Sequence, residues 1–281
     1  MPSFDLARAR FRLSDDHLIV LSELASGNER PMESAAARTD LVKCGLISET
    51  GLLAEPLLPL LTTVLDAAVV ISLETGSRQG QMQHGMLIGQ EHVVAHESWP
   101  GDTEAEYSLV DPRMLVWKLA SMVNLQQSAP AQDTAATSLH TTVGTMEAGL
   151  AGLEGARTAR SREEESEAVR RSILSHGALD SSTTSLLTEL ICELRASWRM
   201  TAAWKGRQEA QEGVEFRGFA VWDCGPLGYW LRELPEEPLP ADQLTPASPF
   251  RLVRTDARSI WTLITDLLPD ADEVRAARAA R

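Results

Sequence analysis

The sequence is poor in the residues that mark several large classes of protein. Its three cysteines, Cys44, Cys192 and Cys224, are widely spaced and form no CxxC pair, so we expect buried free thiols in a reducing cytosol. Only three residues are lysine, and the 281-residue chain carries a net charge of -14. That charge argues against nucleic acid and anionic membranes as partners, since both attract basic proteins.

Long apolar runs and enzyme motifs are also missing. No stretch is apolar enough to span a bilayer, and the opening MPSFDLARARF lacks the apolar segment of a signal peptide. The chain has no GxxxxGK(S/T) loop, no GxGxxG after a strand, no HExxH and no GxSxG. Cys224 has no base nearby in sequence to activate it, because the only late histidine is His176. We therefore predict a cytoplasmic protein that is not an enzyme.

The histidines near the first predicted hairpin need a separate check as metal ligands. In a strand, His92 and His96 would share a face, with His84 upstream, and two imidazoles could hold a metal ion. Glu91 and Glu97 would point to the opposite face, and no cysteine is near in sequence. We interpret these histidines as ordinary hairpin residues and predict neither a metal nor a cofactor.

What the sequence does contain is a pattern of helices followed by strands. Helical spacing, caps and helix stops predict helices over residues 14–25, 34–44 and 55–67. β-Branched composition then predicts strands over 67–75, within 85–97 as a hairpin, and over 106–110. Asp111 and Pro112 open a further helix that ends near Leu125.

The same order returns later in the chain. Residues 126–170 are low in large apolar side chains and predict a linker with some helix. After it, residues 177–206 repeat the helix stop, Leu-rich helix, strand and glycine of residues 45–76, and Phe250 aligns with Tyr107. We predict an internal duplication because order, spacing and terminators agree together.

The repeat predicts a domain organisation and a fold class. The first α+β unit is predicted over residues 1–125, the linker over 126–170, the second unit over 171–270 and a C-terminal tail over 271–281. Each unit alone would leave open sheet edges, which two units can cover by pairing across a pseudo-two-fold axis. We therefore predict one α+β domain with a quasi-two-fold internal duplication and a central antiparallel β-sheet flanked by helices.

Tryptophan is unevenly distributed between the two units. Five of the seven tryptophans lie in the second unit, and the strand of the first unit that matches SWRMTAAW is the small, branched AAVVISLE. Tryptophan is enriched at binding hot spots, but large rings also fill cores, and the pattern leaves both interpretations open. The candidates for partner binding are Trp198, Met200, Trp204, Phe219, Trp222 and Trp230.

Several of these stretches together resemble the EspG family of type VII (ESX) secretion chaperones from actinobacteria. The resemblance rests on LVKCGLISETGLLAEPLLPLL with AAVVISLET, on YSLVDPRMLVWKLASMVNL, and on SWRMTAAWKG with the strands and helix that follow it. It covers most of residues 10–125 and 172–268. The excess of arginine over lysine, 23 to 3, is typical of the high-GC genomes of that group.

The resemblance implies a fold and a function. The fold would be a quasi-two-fold α+β structure with a central antiparallel sheet and helical bundles. The function would be that of a cytosolic chaperone or adaptor. It would bind the apolar tip of a helical-hairpin substrate of the PE/PPE or WXG100 kind, keep it soluble and present it to the secretion ATPase machinery.

A second hypothesis keeps the fold and changes the function. In it the chain is a non-enzymatic scaffold that homodimerises through the same sheet. Both hypotheses rest on apolar side chains of the central sheet, and we expect some of the tryptophan rings of the second unit to face the partner.

Overall fold

One antiparallel sheet runs through the whole molecule, and every helix packs on one of its two faces. The structure, a computed structural model, describes residues 2–27, 35–126, 136–177, 179–208, 211–234, 243–270 and 272–273. Within those ranges the sheet has eleven strands. They are β1 (Ser3–Asp5), β2 (Arg10–Leu13), β3 (Val69–Ser77), β4 (Gly80–Ile88), β5 (Val93–Glu97), β6 (Ala105–Val110), β7 (Ser138–Thr142), β8 (Ala196–Gln208), β9 (Gln211–Asp223), β10 (Tyr229–Arg232) and β11 (Pro249–Thr255).

Eight α-helices accompany the sheet in the described ranges. They are α1 (Asp15–Ala25), α2 (Ala35–Lys43), α3 (Leu58–Leu65), α4 (Leu115–Met122), α5 (Val143–Gly155), α6 (Arg162–His176), α7 (Ser181–Cys192) and α8 (Ala257–Asp266). Single-turn 3-10 helices lie at Leu6–Arg8, Glu55–Leu57, Pro112–Met114 and Gly225–Leu227. Among the residues that could be searched, no helix has the length and apolar character needed to cross a membrane.

Local chemistry sets several of these boundaries where the sequence predicted them. The side chain of Ser14 caps α1 by accepting from the backbone N–H of His17. Gly45 follows α2 with a φ of 78°, a left-handed conformation that glycine adopts without a Cβ penalty. Asp256, which was not predicted as a cap, begins α8 by accepting from the N–H of Ser259 at 2.7 Å. The structure therefore confirms the predicted start of α1 and the predicted stop after α2.

The strand order shows how the two halves join. It runs β1-β2-β6-β5-β4-β3-β8-β9-β10-β11-β7, and the strand pairs are antiparallel. The central pair, β3 and β8, is in register from Val69 opposite Trp204 to Ser77 opposite Ala196. This arrangement confirms the predicted α+β class with a central antiparallel sheet flanked by helices.

The two halves also share an order of elements. Each has an outer strand, three helices, four consecutive strands and a final helix, and the first half has β1 in addition. Tyr107 on β6 and Phe250 on β11 both lie on the third strand outward from the central pair, as their alignment in the sequence predicted. Descent of the halves from one duplicated unit stays a prediction.

The predicted linker is the part of the organisation that the structure changes. Within residues 126–170, the described residues form β7, α5 and the start of α6, and β7 pairs with β11. A Cβ added to Gly149 would lie 2.4 Å from Ile191 Cδ1, and one added to Gly152 would lie 2.7 Å from Ser172 Oγ. Glycine therefore lets α5 pack tightly on α6 and α7, and the second half begins near residue 136. Residues 127–135 and most of the predicted tail, 271–281, lie outside the described residues.

Three hydrophobic clusters fill the two faces of the sheet. On one face, α4 and α8 cover the centre of the sheet, packing on Ile71, Met200 and Val221. On the other face, α1, α2 and α3 cover the outer strands of the first half. Helices α5, α6 and α7 cover the outer strands of the second half on that same face. The second face is thus divided between two helical bundles at its ends.

Candidate functional site

Four of the six sequence-predicted binding candidates lie beneath α4 and α8. Trp198, Met200, Trp204 and Phe219 alternate onto that face of β8 and β9, and all four are buried. The rings of Trp198 and Phe219 meet edge to face with centroids 5.6 Å apart. The guanidinium of Arg217 lies 5.1 Å from the ring centroid of Trp204. These side chains therefore take core positions at the centre of the sheet.

Trp222 and Trp230, the other two candidates, lie in the cluster under α5, α6 and α7. Trp230 is fully buried, and its Nε1 donates to the carbonyl oxygen of Leu227 at 3.2 Å. The ring of Trp222 lies 5.7 Å from that of Phe250. Helices cover all six side chains, four on one face of the sheet and two on the other, so the expectation that some of the tryptophan rings face outward is not met within this chain. A part for them in partner binding stays a prediction.

An uncovered strip lies between the two bundles, and it is called the open face below. It consists of the alternate residues of β4, β3, β8 and β9 that point away from α4 and α8. Across these strands the register aligns four small residues in one row, Gly85, Ser72, Thr201 and Gly218. No helix covers them in the part of the chain that the structure describes. The row forms a shallow furrow in which a partner can approach the strand backbones.

An apolar row borders the furrow on one side. Leu87, Val70, Ala203 and Phe216 lie opposite one another on the same four strands. Val70 is 40% exposed and Phe216 is 50% exposed, and Val214, two residues along β9, is 59% exposed. Large apolar groups so exposed on a sheet are typical of binding surfaces. Sequence reasoning missed these residues, although Phe216 shares the alternation of Trp222 and so lies on the face opposite Phe219.

The first-half end of the open face holds a pocket of about 290 Å³, called the first-half pocket below. Its apolar walls are Leu18 and Val64 from the bundle, Val70 and Leu87 from the sheet, and Tyr107. His96 also lines it, with its ring 5.0 Å from that of Tyr107. Burial lowers the pKa of His96, and burial together with the charge of Asp15 raises the pKa of Tyr107 to about 12. Both side chains are therefore neutral at physiological pH.

The histidines do not gather on one face. His96 pairs with Gly85 and faces the furrow, whereas His84 pairs with Glu97 and so faces the α4 side of the sheet. His92 precedes the first residue of β5. Among the described residues, no group of three or more histidines, cysteines or acids stands where it could hold a metal ion.

The second-half end of the open face carries two arginines, called the arginine pair below. Arg199 on β8 and Arg232 on β10 both lie opposite Ala220 of the strand between them. The guanidinium of Arg232 lies 4.9 Å from the ring centroid of Phe250, and burial and the charge of Arg199 lower the pKa of Arg232. No ion pair joins either guanidinium to a carboxylate among the residues described. This end is therefore polar, with two arginines in one row and with Glu74 opposite Arg199.

Comparison with known proteins gives a fold match without a sequence match. No protein-family model matches the chain, and no curated protein matches it in sequence. A search of solved structures finds the structure of the Mycobacterium tuberculosis type VII secretion system chaperone EspG5 in complex with a PE25–PPE41 dimer. The TM-score is 0.53 at 10% sequence identity, over 92% of this chain and 97% of that one. The similarity extends over nearly the whole length of both chains and shows a shared fold.

Proposed function

We propose that this chain is a cytosolic chaperone or adaptor of type VII secretion that binds a helical secretion substrate on its open face. The observation that carries the proposal is the uncovered strip of sheet, with exposed Val70 and Phe216 beside a furrow of small residues. The shared fold supports it, because the similar solved structure is of a secretion chaperone in complex with a protein dimer.

The geometry suits a protein partner better than a small molecule. The open face is a shallow strip rather than a deep cleft, and its apolar residues lie on four adjacent strands. A standard protein interface covers roughly 800 Å² on each partner, an area that such a strip and the flanking bundle walls can supply. Covering Val70, Val214 and Phe216 would remove apolar surface from water in both proteins, which is the driving force for association.

The substrate class comes from the sequence resemblance rather than from the strip. A helical hairpin of the PE/PPE or WXG100 kind presents an apolar tip that needs protection before export. In the proposal this tip lies over the furrow, and the secretion ATPase machinery receives the complex afterwards. Trp198, Met200, Trp204 and Phe219 act from beneath by fixing the strands on which the tip rests. Trp222 and Trp230 lie on the same face as the strip and hold the second bundle beside it.

Co-expression tests the proposal directly. The full chain is produced with each helical-hairpin protein encoded beside its gene, and complexes are detected by size-exclusion chromatography. Substitution of Phe216→Glu places a charge in the apolar row, and it should weaken the complex by at least about tenfold. Leu52→Glu is the matched control, because Leu52 is 75% exposed and lies outside the strands that form the open face. Absence of a complex with every such neighbour rejects the proposal, as does equal loss in both variants.

The homodimeric scaffold remains the second candidate. Its specific support is the same exposed apolar row, which two copies could bury against each other. Light scattering separates the two functions, because a strict monomer at tens of micromolar rejects the scaffold. A dimer that Phe216→Glu dissociates and Leu52→Glu does not would favour it over the chaperone.

A further inference from the structure

We propose that the open face recognises its helical partner at two chemically different points. The first-half pocket takes one bulky apolar side chain, and the arginine pair takes carboxylates from the same partner helix. This inference rests on the proposed function, because it supposes a helical partner on the open face. It adds which chemical groups such a partner must carry and the order in which those groups must lie along the partner helix.

The pocket has the size and lining for a side chain. Its volume, about 290 Å³, lies at the lower limit of the small-molecule sites of proteins, which span roughly 300–1,000 Å³. Leu18, Val64 and Leu87 give it walls from both the bundle and the sheet. Gly85 contributes no side chain, and a Cβ there would lie 2.5 Å from the carbonyl oxygen of Ile71. The pocket therefore stays open because its floor is backbone, and an apolar group inserted from the furrow would fill it.

The arginine pair supplies the complementary charge. The chain has a net charge of -14, yet Arg199 and Arg232 stand in one row of the open face with Ala220 between them. Glu74 is the cross-strand neighbour of Arg199, but neither guanidinium lies within ion-pair distance of a carboxylate in the described ranges. A guanidinium binds a carboxylate through two parallel hydrogen bonds, and it is less strongly hydrated than an ammonium group. Arg232 is half-buried against Phe250, so a carboxylate there would be held away from bulk water. A partner that brings acidic groups to this end would relieve the repulsion between the two arginines.

The strand spacing fixes how far apart the two groups must be on the partner. Neighbouring strands lie about 4.8 Å apart, so from β4 at the pocket it is roughly 10 Å to β8 and roughly 19 Å to β10. A helix in the furrow rises about 1.5 Å per residue, so acids about seven and about fourteen residues from the apolar anchor, roughly 10 Å and 21 Å along the helix, would come within side-chain reach of the two arginines. Residues at these offsets lie on one helix face. The partner is therefore a helix with an apolar anchor and with acids about two and about four turns away.

Designed peptides test the inference without knowledge of the natural substrate. The probe is a stapled, alanine-based helix with one Phe and with Glu about seven and about fourteen residues from it, made in both sequence orders. Binding to the full chain is followed by NMR of methyl and histidine ring signals. In one order, the probe should shift the signals of Val70, Leu87 and His96. Replacement of its Phe by Ala, or of its glutamates by Gln, should weaken binding by at least about fivefold.

Variants of the chain complete the test. Ser72→Trp, at an exposed position beside the pocket, should remove the contribution of the Phe, and Arg199→Glu should remove that of the glutamates. Ser121→Trp and Arg113→Glu are matched controls at exposed positions on and before α4, on the opposite side of the sheet. Shifts that are absent, or that do not depend on the Phe and the glutamates, overturn the inference. The chaperone proposal is judged separately by co-expression, so a natural complex that survives both Ser72→Trp and Arg199→Glu would sink this inference alone.

Discussion

The two ends of the open face share a backbone pattern and differ in chemistry. In the first half, Tyr107 lines a pocket with His96 beside it, whereas in the second half the ring of Phe250 is covered by the guanidinium of Arg232. Both aromatic residues lie on the third strand from the central pair. Equivalent strands of the two halves therefore form an apolar pocket at one end of the open face and carry arginines at the other. Side-chain size and charge vary between the halves, while the strand register is kept.

The cores under the two bundles differ in the same way. The first-half bundle packs on aliphatic residues with Phe11 and Tyr107, whereas the second-half bundle packs on Trp222, Trp230 and Phe250. Trp222 and Trp230 therefore take core positions in the second half. The two halves also differ at the open face, where the first half has the pocket and the second half has the arginine pair.

The largest expected effect on stability tests the core role of Trp230 in the second half. Trp230→Ala removes a fully buried ring and its hydrogen bond to Leu227. The free energy of unfolding should fall by roughly 3–5 kcal/mol, as in other large-to-small core substitutions. Urea or guanidinium titration measures it, with Trp99→Ala as the control because Trp99 is 43% exposed. A loss below about 1 kcal/mol would contradict a core role.

Two glycines of the furrow, Gly85 in the first half and Gly218 in the second, should differ in how well they tolerate an added Cβ. A Cβ on Gly85 would lie 2.5 Å from the carbonyl oxygen of Ile71, so Gly85→Ala forces backbone to move. A Cβ on Gly218 would lie 3.1 Å from the carbonyl oxygen of Met200 and from Thr201 Oγ1. Gly85→Ala should cost about 1–3 kcal/mol. Gly218→Ala should cost less than about 1 kcal/mol, since the lost unfolded-state entropy offsets part of the strain. Equal costs measured by denaturant titration would contradict the difference.

The smallest expected effect concerns acid stability in the first half. Burial, and next the charge of His84, lower the pKa of His96 below its ordinary 6.5, although Asp15 and Glu97 act in the opposite direction. As the pH falls through 6.5, the unfolded chain takes up a proton that the folded chain resists, so the fold loses stability. The loss is complete once the pH is below the folded-state pKa. His96→Gln should therefore reduce the fall in melting temperature between neutral and mildly acidic pH.

A control histidine separates this effect from general acid sensitivity. His140 is exposed on β7, so His140→Gln should leave the acid-dependent fall in melting temperature unchanged. If the acid-dependent fall in melting temperature is unchanged in the His96→Gln variant, protonation of His96 does not cause the acid sensitivity of the first half.

Most of the strands and helices could be predicted from the sequence, but the elements between residues 136 and 170 could not be placed in the fold. Alternation and caps predicted β3, β4, β5, β6 and α4 within a few residues. Residues 126–170 predicted a linker with some helix because they are low in large apolar side chains, and α5 fits that composition because several of its residues are glycines. Those glycines contact α6 and α7, as at Gly149 and Gly152, so packing supplies the stability that local propensity lacks. A single sequence does not contain that tertiary information.

The candidate site was harder to predict for a different reason. Alternation places Trp198, Met200 and Trp204 on one face of β8, but it does not say which face the helices cover. The structure places α4 and α8 over that face, and the opposite face is left open with Phe216 and Val70. Charge placement was equally hidden, because Arg199 and Arg232 are far apart in sequence and meet only through β9.

The central pairing of β3 with β8 has a mechanical consequence. Nine consecutive residues of each strand form one ladder at the boundary between the halves, from Val69 and Trp204 to Ser77 and Ala196. A boundary of that kind resists hinge bending, because rotation of one half would break the ladder. We therefore expect the two bundles to keep their separation when a partner binds. The platform is stiff, and selectivity must come from how well the partner fits a surface whose shape is already set.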